Sequence, residues 1–208
     1  MNIKLTSVGK RFRYEWIFQN VNHTFLAGEK YAITGPNGVG TSTLMRVLSG
    51  HLTPSVGKTT FTDAQGKAIH ADDVFGNVSF AAPYIELIEE FSLVELLDFH
   101  QQFKPFVADF STQSALSLLN FSPSAAQKSV KFFSSGMKQR VKLLLALAAN
   151  QPIVLLDEPT TNLDLQGFAW YQALVARFGA SKLIVVASNV AEDYSFCNHQ
   201  LNILDFKK

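Results

Sequence analysis

Short apolar runs and helical repeats alternate along the chain, and this alternation predicts an α/β fold. Residues 3–8 and 21–27 have the polar–apolar alternation of half-buried strands. Short, largely apolar runs follow at 31–34, 153–156 and 183–186, as in strands that are covered on both faces. Because strands of that kind belong to parallel sheets flanked by helices, we predict a mostly parallel sheet core.

Helical periodicity fills the middle of the chain, from about Glu86 to Ala149. Leucines recur at helical spacing after residue 92, and residues 138–149 are predicted to form a further helix that is rich in apolar positions. The remaining predicted elements are helices over 43–49 and 166–178 and strands over 58–62 and 77–81.

No linker-like stretch separates the helical block from the strand-forming segments on either side of it. We therefore predict a single domain over 1–208. Its sheet core covers about 1–83 and 150–208, and a helical subdomain is inserted at about 84–149. The first strands are predicted to form an antiparallel β element at the N-terminal end.

The composition narrows the class of protein. The 208 residues carry 18 Lys and Arg against 17 Asp and Glu, a net charge of +1, so no nucleic acid is expected as a partner. A single cysteine, Cys197, excludes an internal disulfide and is typical of a reducing compartment. The first residues lack the apolar segment of a signal peptide, and no apolar run reaches the roughly 20 residues of a membrane helix.

A glycine-rich segment connects the predicted strand 31–34 to the predicted helix 43–49. Its sequence over 35–43 is Gly-Pro-Asn-Gly-Val-Gly-Thr-Ser-Thr. Glycines let backbone N–H groups turn towards phosphate oxygens, and the helix N-terminus adds its positive dipole end. The phosphate-loop pattern G-x-x-x-x-G-K-[ST] is matched except that Thr41 replaces the lysine. By itself the segment is compatible with a phosphate loop or with an ordinary tight turn.

Two further segments favour the phosphate loop. The apolar run 153–156 ends in Asp157 and Glu158, where one acid can hold Mg²⁺ through water and its neighbour can orient a hydrolytic water. The chain continues as Pro-Thr-Thr-Asn-Leu-Asp, up to Asp164. Upstream, Phe-Ser-Ser-Gly-Met at 133–137 opens a helix whose unpaired N–H groups suit a γ-phosphate.

In their order and spacing these segments resemble the ATP-binding cassette family, the nucleotide-binding subunits of ABC transporters. The resemblance covers nearly the whole chain, although the signature segment reads Phe-Ser-Ser-Gly-Met where the family has Leu-Ser-Gly-Gly-Gln. It implies a P-loop NTPase fold, and ATP and Mg²⁺ as cofactors. A GTPase is less compatible with the sequence, which lacks the Asn-Lys-x-Asp element for base recognition.

The resemblance also implies a role for each motif residue. Ser42 and Asp157 would hold Mg²⁺. Glu158 would act as the general base, and Asn189 would stand where the family has a catalytic switch histidine. The implied nucleotide-binding residues are Phe12, Gly35, Pro36, Asn37, Gly38, Val39, Gly40, Thr41, Ser42, Thr43, Ser134, Ser135, Gly136 and Asp164. For Phe12 two interpretations stay open, a ring that stacks on adenine or an ordinary core residue.

Three positions depart from the family pattern. Thr41 removes the lysine that would reach the β- and γ-phosphates, and a hydrogen bond to a charged group contributes about 1.5–3 kcal/mol. Near residues 81–83 the family has a glutamine that touches Mg²⁺ and senses the membrane partner, but no glutamine occurs between 81 and 91. Asn189 can donate a hydrogen bond but cannot become charged. We therefore expect weaker ATP binding and slow or conditional ATPase activity.

The resemblance implies two kinds of partner. One is a second cassette, either a second copy of this chain in a homodimer or a different, paired cassette. Ser134, Ser135 and Gly136 would contact the ATP bound to that cassette, and Asp164 would lie at the interface between the two. The other is a membrane-spanning transporter subunit on a separate chain, which would hold this chain peripherally at the cytoplasmic face. The segment 83–91 fits a docking edge for that subunit or a plain amphipathic helix. The alternative function is a nucleotide-binding scaffold or regulatory subunit with little turnover.

Overall fold

Two sheets, six α-helices and five short 3₁₀ turns make up the computed structural model, which describes residues 1–207 without the side chain of Pro123. The strands are β1 (Asn2–Phe12), β2 (Glu15–Phe25), β3 (Lys30–Thr34), β4 (Val56–Thr62), β5 (Val78–Ala81), β6 (Ile153–Asp157), β7 (Leu183–Ala187) and β8 (His199–Asn202). The helices are α1 (Thr41–Leu48), α2 (Leu93–Phe103), α3 (Thr112–Leu119), α4 (Pro123–Ala126), α5 (Ser135–Ala148) and α6 (Leu165–Phe178).

The larger sheet has five parallel strands in the order β5-β6-β7-β3-β8. Every residue of β6 and β7 is buried, which explains why both sequences are almost purely apolar. Asp157 pairs with Ala187, and Ile33 pairs with the same alanine. The carboxyl ends of β3, β6 and β7 therefore meet at one edge, and the loops that follow them are neighbours.

The smaller sheet is antiparallel, in the order β2-β1-β4. Its first two strands are longer than the predicted 3–8 and 21–27, because they form one hairpin that turns at residues 13–14. The register of β1 shifts between Leu5 and Val8 and again near Lys10. Each shift breaks the two-residue alternation, and this hid the full length of the strands in the sequence.

Four helices, α2 to α5, are inserted between β5 and β6. The buried positions of α2, α3 and α5 form one apolar core that continues under α6 and against β6 and β7. The C-terminal end of α5 is held by Lys182, whose ammonium group donates to the carbonyl oxygens of Leu147, at 2.7 Å, and Ala149. A cation at that end also complements the helix dipole.

The predicted start of the helical block is wrong. Residues 82–91 contain no helix, so the interpretation of this segment as a plain amphipathic helix is also wrong. The first helix begins only at Leu93, because Ser92 caps it: its hydroxyl accepts from the backbone N–H of Glu95, and the Glu95 carboxylate accepts from the N–H of Ser92. The strand β8 was not predicted, since its four residues include no buried one.

Candidate functional site

The glycine-rich loop 35–40 connects β3 to α1 at the carboxyl edge of the large sheet. Gly40 is the N-cap of α1 and has φ 116, a conformation in which side chains are strained. A Cβ at Gly40 would also lie 2.3 Å from Cγ2 of Ile17 on β2. The helix therefore begins at Thr41, two residues earlier than predicted. Since the first N–H groups of a helix lack partners within it, Thr41, Ser42 and Thr43 present donors beside the loop.

Asp157 ends β6 at the same edge and is only 1% exposed. Burial raises the pKa of its carboxyl group, and the nearby hydroxyls of Ser42 and Tyr84 oppose that shift. The Tyr84 hydroxyl donates to Asp157 Oδ2 at 3.0 Å, and the guanidinium of Arg46 lies 4.3 Å from the centroid of the Tyr84 ring. A buried carboxylate beside a serine hydroxyl is a set of hard oxygen donors that suits Mg²⁺.

Tyr84 is a site residue that sequence reasoning missed. Its pKa is raised by burial and by the negative charge of Asp157, so the phenol stays a hydrogen-bond donor. The sequence has no glutamine between 81 and 91, and its pattern places the tyrosine in the segment predicted as a docking edge. A polar side chain so close to the position expected for the glutamine was the signal that could have found it.

Glu158 and Asn189 follow the carboxyl ends of two adjacent strands. Glu158 has φ 44 and an exposed side chain, and its N–H donates to the carbonyl oxygen of Ala187 at 2.8 Å. Asn189 Nδ2 donates to Oδ1 of Asn37 in the glycine-rich loop at 2.8 Å. The structure therefore joins Asn189 directly to Asn37, across 152 residues of sequence.

The N-terminal end of α5, at 134–136, lies beside the loop 162–164, and together they form a second cluster of predicted site residues. Ser134 is the N-cap of α5, and its hydroxyl accepts from the N–H of Met137 at 3.2 Å. Asp164 is the N-cap of α6 and accepts from Gly167 N at 2.7 Å. These residues line an open hollow of about 360 Å³, and among the described residues its lining includes none of the loop 35–40. A Cβ at Gly136 would lie 2.9 Å from the carbonyl oxygen of Asn162, so the two segments touch.

Phe12 lies at the end of β1 and is 49% exposed, so the interpretation of Phe12 as a core residue is wrong. The ammonium group of Lys10 lies 5.2 Å from the centroid of its ring. On the neighbouring strand, Ile17 contacts the glycine-rich loop through its approach to Gly40. The hairpin thus packs against the loop and presents a half-exposed aromatic ring.

An apolar groove of about 300 Å³ runs beside the segment 82–91. Its apolar lining includes Phe75, Ile85, Ile88, Leu96, Phe99 and Phe103. Two lysines on its wall bind backbone carbonyls: Lys104 Nζ donates to Val78 at 2.5 Å and Lys142 Nζ to Pro83 at 3.0 Å. His100 also lines the groove, and burial lowers its pKa to about 4.

The described residues also bear on metal binding and on membrane insertion. Across residues 1–207, no three side chains of His, Cys, Asp or Glu form a group that could hold a metal by themselves. A metal at Asp157 would therefore depend on further ligands such as substrate phosphates, as Mg²⁺ commonly does. In the same described part of the chain, no helix combines the length and apolarity needed to cross a bilayer.

Solved structures identify the fold. A proposed ABC transporter ATP-binding protein from Pyrococcus furiosus superposes with a TM-score of 0.82 at 19% identity, covering 100% of both chains. A bacterial ABC transporter cassette solved as a dimer superposes with a TM-score of 0.81 at 24% identity, over 97% of this chain and 94% of that one. The fold is that of a P-loop NTPase cassette, and the predicted fold class is confirmed.

Sequence comparison then identifies the family. The family model "ABC transporter" matches residues 18–161. The uncharacterized ABC transporter ATP-binding protein YybJ of Bacillus subtilis is 28% identical, over 97% of this chain and 92% of the relative. Nod factor export ATP-binding protein I of Rhizobium johnstonii is 30% identical, over 98% of this chain and 66% of the relative.

The chain belongs to the ABC transporter family. It is an ATP-binding subunit of the kind that powers a membrane transporter. These comparisons confirm the predicted function at this level and favour it over the alternative of a nucleotide-binding scaffold.

Proposed function

We propose that the chain binds ATP with Mg²⁺ at the glycine-rich loop and hydrolyses it slowly. The observation that carries this proposal is the convergence at one sheet edge of the loop 35–43, the buried Asp157 and the Asn189–Asn37 hydrogen bond. The backbone donors at the start of α1 would bind the phosphates. Ser42 and Asp157 would hold the metal, whose charge would compensate the buried carboxylate.

Glu158 is proposed as the general base. Its side chain is exposed, so its carboxylate is open to an attacking water, and Thr161 Oγ1 donates to its Oε2 at 3.3 Å. Asn189 would donate to the γ-phosphate from the other side of the loop, after exchanging its present partner Asn37. Because neither Asn189 nor Thr41 carries a charge, less of the negative charge of the transition state is compensated. Slow turnover follows from those two residues.

The hollow at 134–136 and 162–164 is proposed as the contact to ATP bound on a second cassette. Its helix N-terminus supplies backbone N–H groups and a positive dipole end. Arg140 lines the same hollow; burial lowers the pKa of its guanidinium group, and the negative charge of Asp164 opposes that shift. Either a second copy of this chain or a related cassette would complete the site.

The apolar groove beside 82–91 is proposed as the docking site for the membrane-spanning subunit. Its exposed phenylalanines, Phe99 and Phe103, form part of an aromatic row with ring centroids 5.1 Å apart. A groove of this composition suits an apolar segment of a partner. The chain would then lie at the cytoplasmic face of the membrane, peripherally attached.

Calorimetric titration with Mg-ATP and a phosphate-release assay test the proposal together. We expect saturable ATP binding, with turnover that is slow and that Glu158→Gln abolishes while binding persists. Light scattering should show a nucleotide-dependent dimer that accumulates in Glu158→Gln. Glu192→Gln, at another exposed glutamate, serves as the control. Wild-type protein that fails to bind ATP, or Glu158→Gln protein that hydrolyses it at the wild-type rate, would contradict the assigned roles.

A further inference from the structure

Asp193 is a buried carboxylate outside the residues assigned to ATP. It is 1% exposed and lies in the short 3₁₀ turn Ala191–Tyr194 after β7. Each of its oxygens accepts from a different loop: Thr160 Oγ1 donates to Oδ1 at 2.5 Å, and Ser188 Oγ donates to Oδ2 at 2.6 Å. A carboxylate is costly to bury unless it is hydrogen-bonded, and here both oxygens are.

The two loops that meet at Asp193 carry the proposed catalytic residues. Thr160 lies two residues after Glu158, and Ser188 directly precedes Asn189. The Ser188 hydroxyl also accepts from the N–H of Val190 at 3.0 Å, so both neighbours of Asn189 are tied to the same centre.

Asp193 is itself fixed to the frame of the protein. Its carbonyl oxygen accepts from the hydroxyl of Tyr171 at 2.9 Å, and this tyrosine on α6 is fully buried. Its N–H donates to the carbonyl oxygen of Val190 at 3.1 Å. The start of the loop after Glu158 has a second anchor, because Gln139 Nε2 on α5 donates to the carbonyl oxygen of Pro159 at 2.7 Å.

We propose that Asp193 is a positioning residue that holds the Glu158 loop and the Asn189 loop in one fixed relation. The inference rests on the proposed roles of Glu158 and Asn189. An ionised carboxylate only accepts hydrogen bonds, so both hydroxyls must donate and their directions are fixed. An asparagine of the same shape would turn its NH₂ group towards one of the two hydroxyls, which would then have to accept. The charge-assisted hydrogen bond to that loop would be lost, and the loop would be held more weakly.

Hydrogen exchange measured by mass spectrometry tests the contact without ATP. In Asp193→Asn we expect faster exchange in peptides covering 158–164 and 188–194, while the peptides of β6 and α5 keep wild-type rates. Thr160→Val should accelerate only the first segment and Ser188→Ala only the second. Thr160→Ser keeps the hydroxyl and should restore the wild-type rate, and Glu192→Gln removes a neighbouring exposed charge as the matched control.

Kinetics test the catalytic consequence. We expect Asp193→Asn to lower kcat by about tenfold or more with little change in KM or in the Kd for ATP, since misplaced catalytic groups affect the reacting geometry and not the phosphate loop. Unchanged exchange in both segments, or equal losses in kcat and ATP affinity, would overturn the proposal. If Asp193→Asn fails to fold, Thr160→Val and Ser188→Ala carry the same test. If the wild type has no turnover, slow hydrolysis is refuted while the exchange experiment still decides the role of Asp193.

Discussion

Restoring a lysine at position 41 tests the placement of the phosphates. Thr41 is the first residue of α1, and the first turn of that helix contains no acidic residue to compete for an ammonium group. The side chain is half-buried at the end of the loop that is proposed to hold the phosphates. A hydrogen bond to a charged group contributes about 1.5–3 kcal/mol. At about 1.4 kcal/mol per tenfold change, Thr41→Lys should bind ATP about 10- to 100-fold more tightly.

The matched control is Thr41→Met, which has a long side chain without the charge. Titration calorimetry with Mg-ATP at two salt concentrations separates the effect of the charge from the effect of a longer side chain, because an added ion pair weakens as salt rises. We also expect faster phosphate release from Thr41→Lys than from the wild type. If Thr41→Lys binds ATP no better than Thr41→Met, the phosphates do not lie where the loop geometry places them.

Two further predictions concern the groove. The pKa of His100 is about 4 in the folded protein against an ordinary 6.5. Between these pH values the unfolded chain therefore binds more protons than the folded protein. Acidification through this range lowers the free energy of unfolding by up to about 3 kcal/mol. The free energy of unfolding in urea should therefore differ less between pH 4.5 and pH 7 in His100→Leu than in the wild type. An equal difference in the two proteins would show that His100 does not cause the loss of stability. Phe103→Asp, at a groove residue that is 61% exposed, should abolish co-purification with the membrane subunit without changing ATP binding. Leu204→Asp, at an exposed position outside the groove lining, is its control, and retained binding by Phe103→Asp would exclude the groove as the docking site.

The buried strands were the most predictable part of the fold. Residues 153–156 and 183–186 are apolar at every position because both faces of the sheet are covered, and the structure extends each by one residue. Strand β8 has the opposite character: it pairs with β3 at the sheet edge, and none of its four residues is buried. No apolar pattern marks such a strand in the sequence.

The residues of the candidate site likewise divide into those that the sequence predicts and those that only the structure reveals. The glycines of the loop lie close together in sequence, and so do the two acids. Each group forms a local motif, and these motifs predicted where the loop and the acids would fall. The contacts of Tyr84 with Asp157 and of Asp193 with Thr160 join residues that are 73 and 33 positions apart. Long-range contacts of this kind depend on strand order and on side-chain direction, which a single sequence does not express. The contacts of the Tyr84 hydroxyl and of the Asp193 carboxylate therefore became visible only in three dimensions.

Charge at the proposed phosphate site leads to a last prediction, about Mg²⁺. The loop has backbone donors but no lysine, and the buried Asp157 adds negative charge beside it. Positive charge near the β- and γ-phosphates must then come largely from a metal held by Ser42 and Asp157. We therefore expect the affinity for ATP to fall more on chelation of Mg²⁺ in the wild type than in Thr41→Lys, where the ammonium group supplies part of that charge. Fluorescent-ATP titrations measure, for each of the two proteins, the ratio of the Kd in EDTA to the Kd in Mg²⁺. Equal ratios would mean that the metal and the side chain at position 41 do not act on the same phosphates.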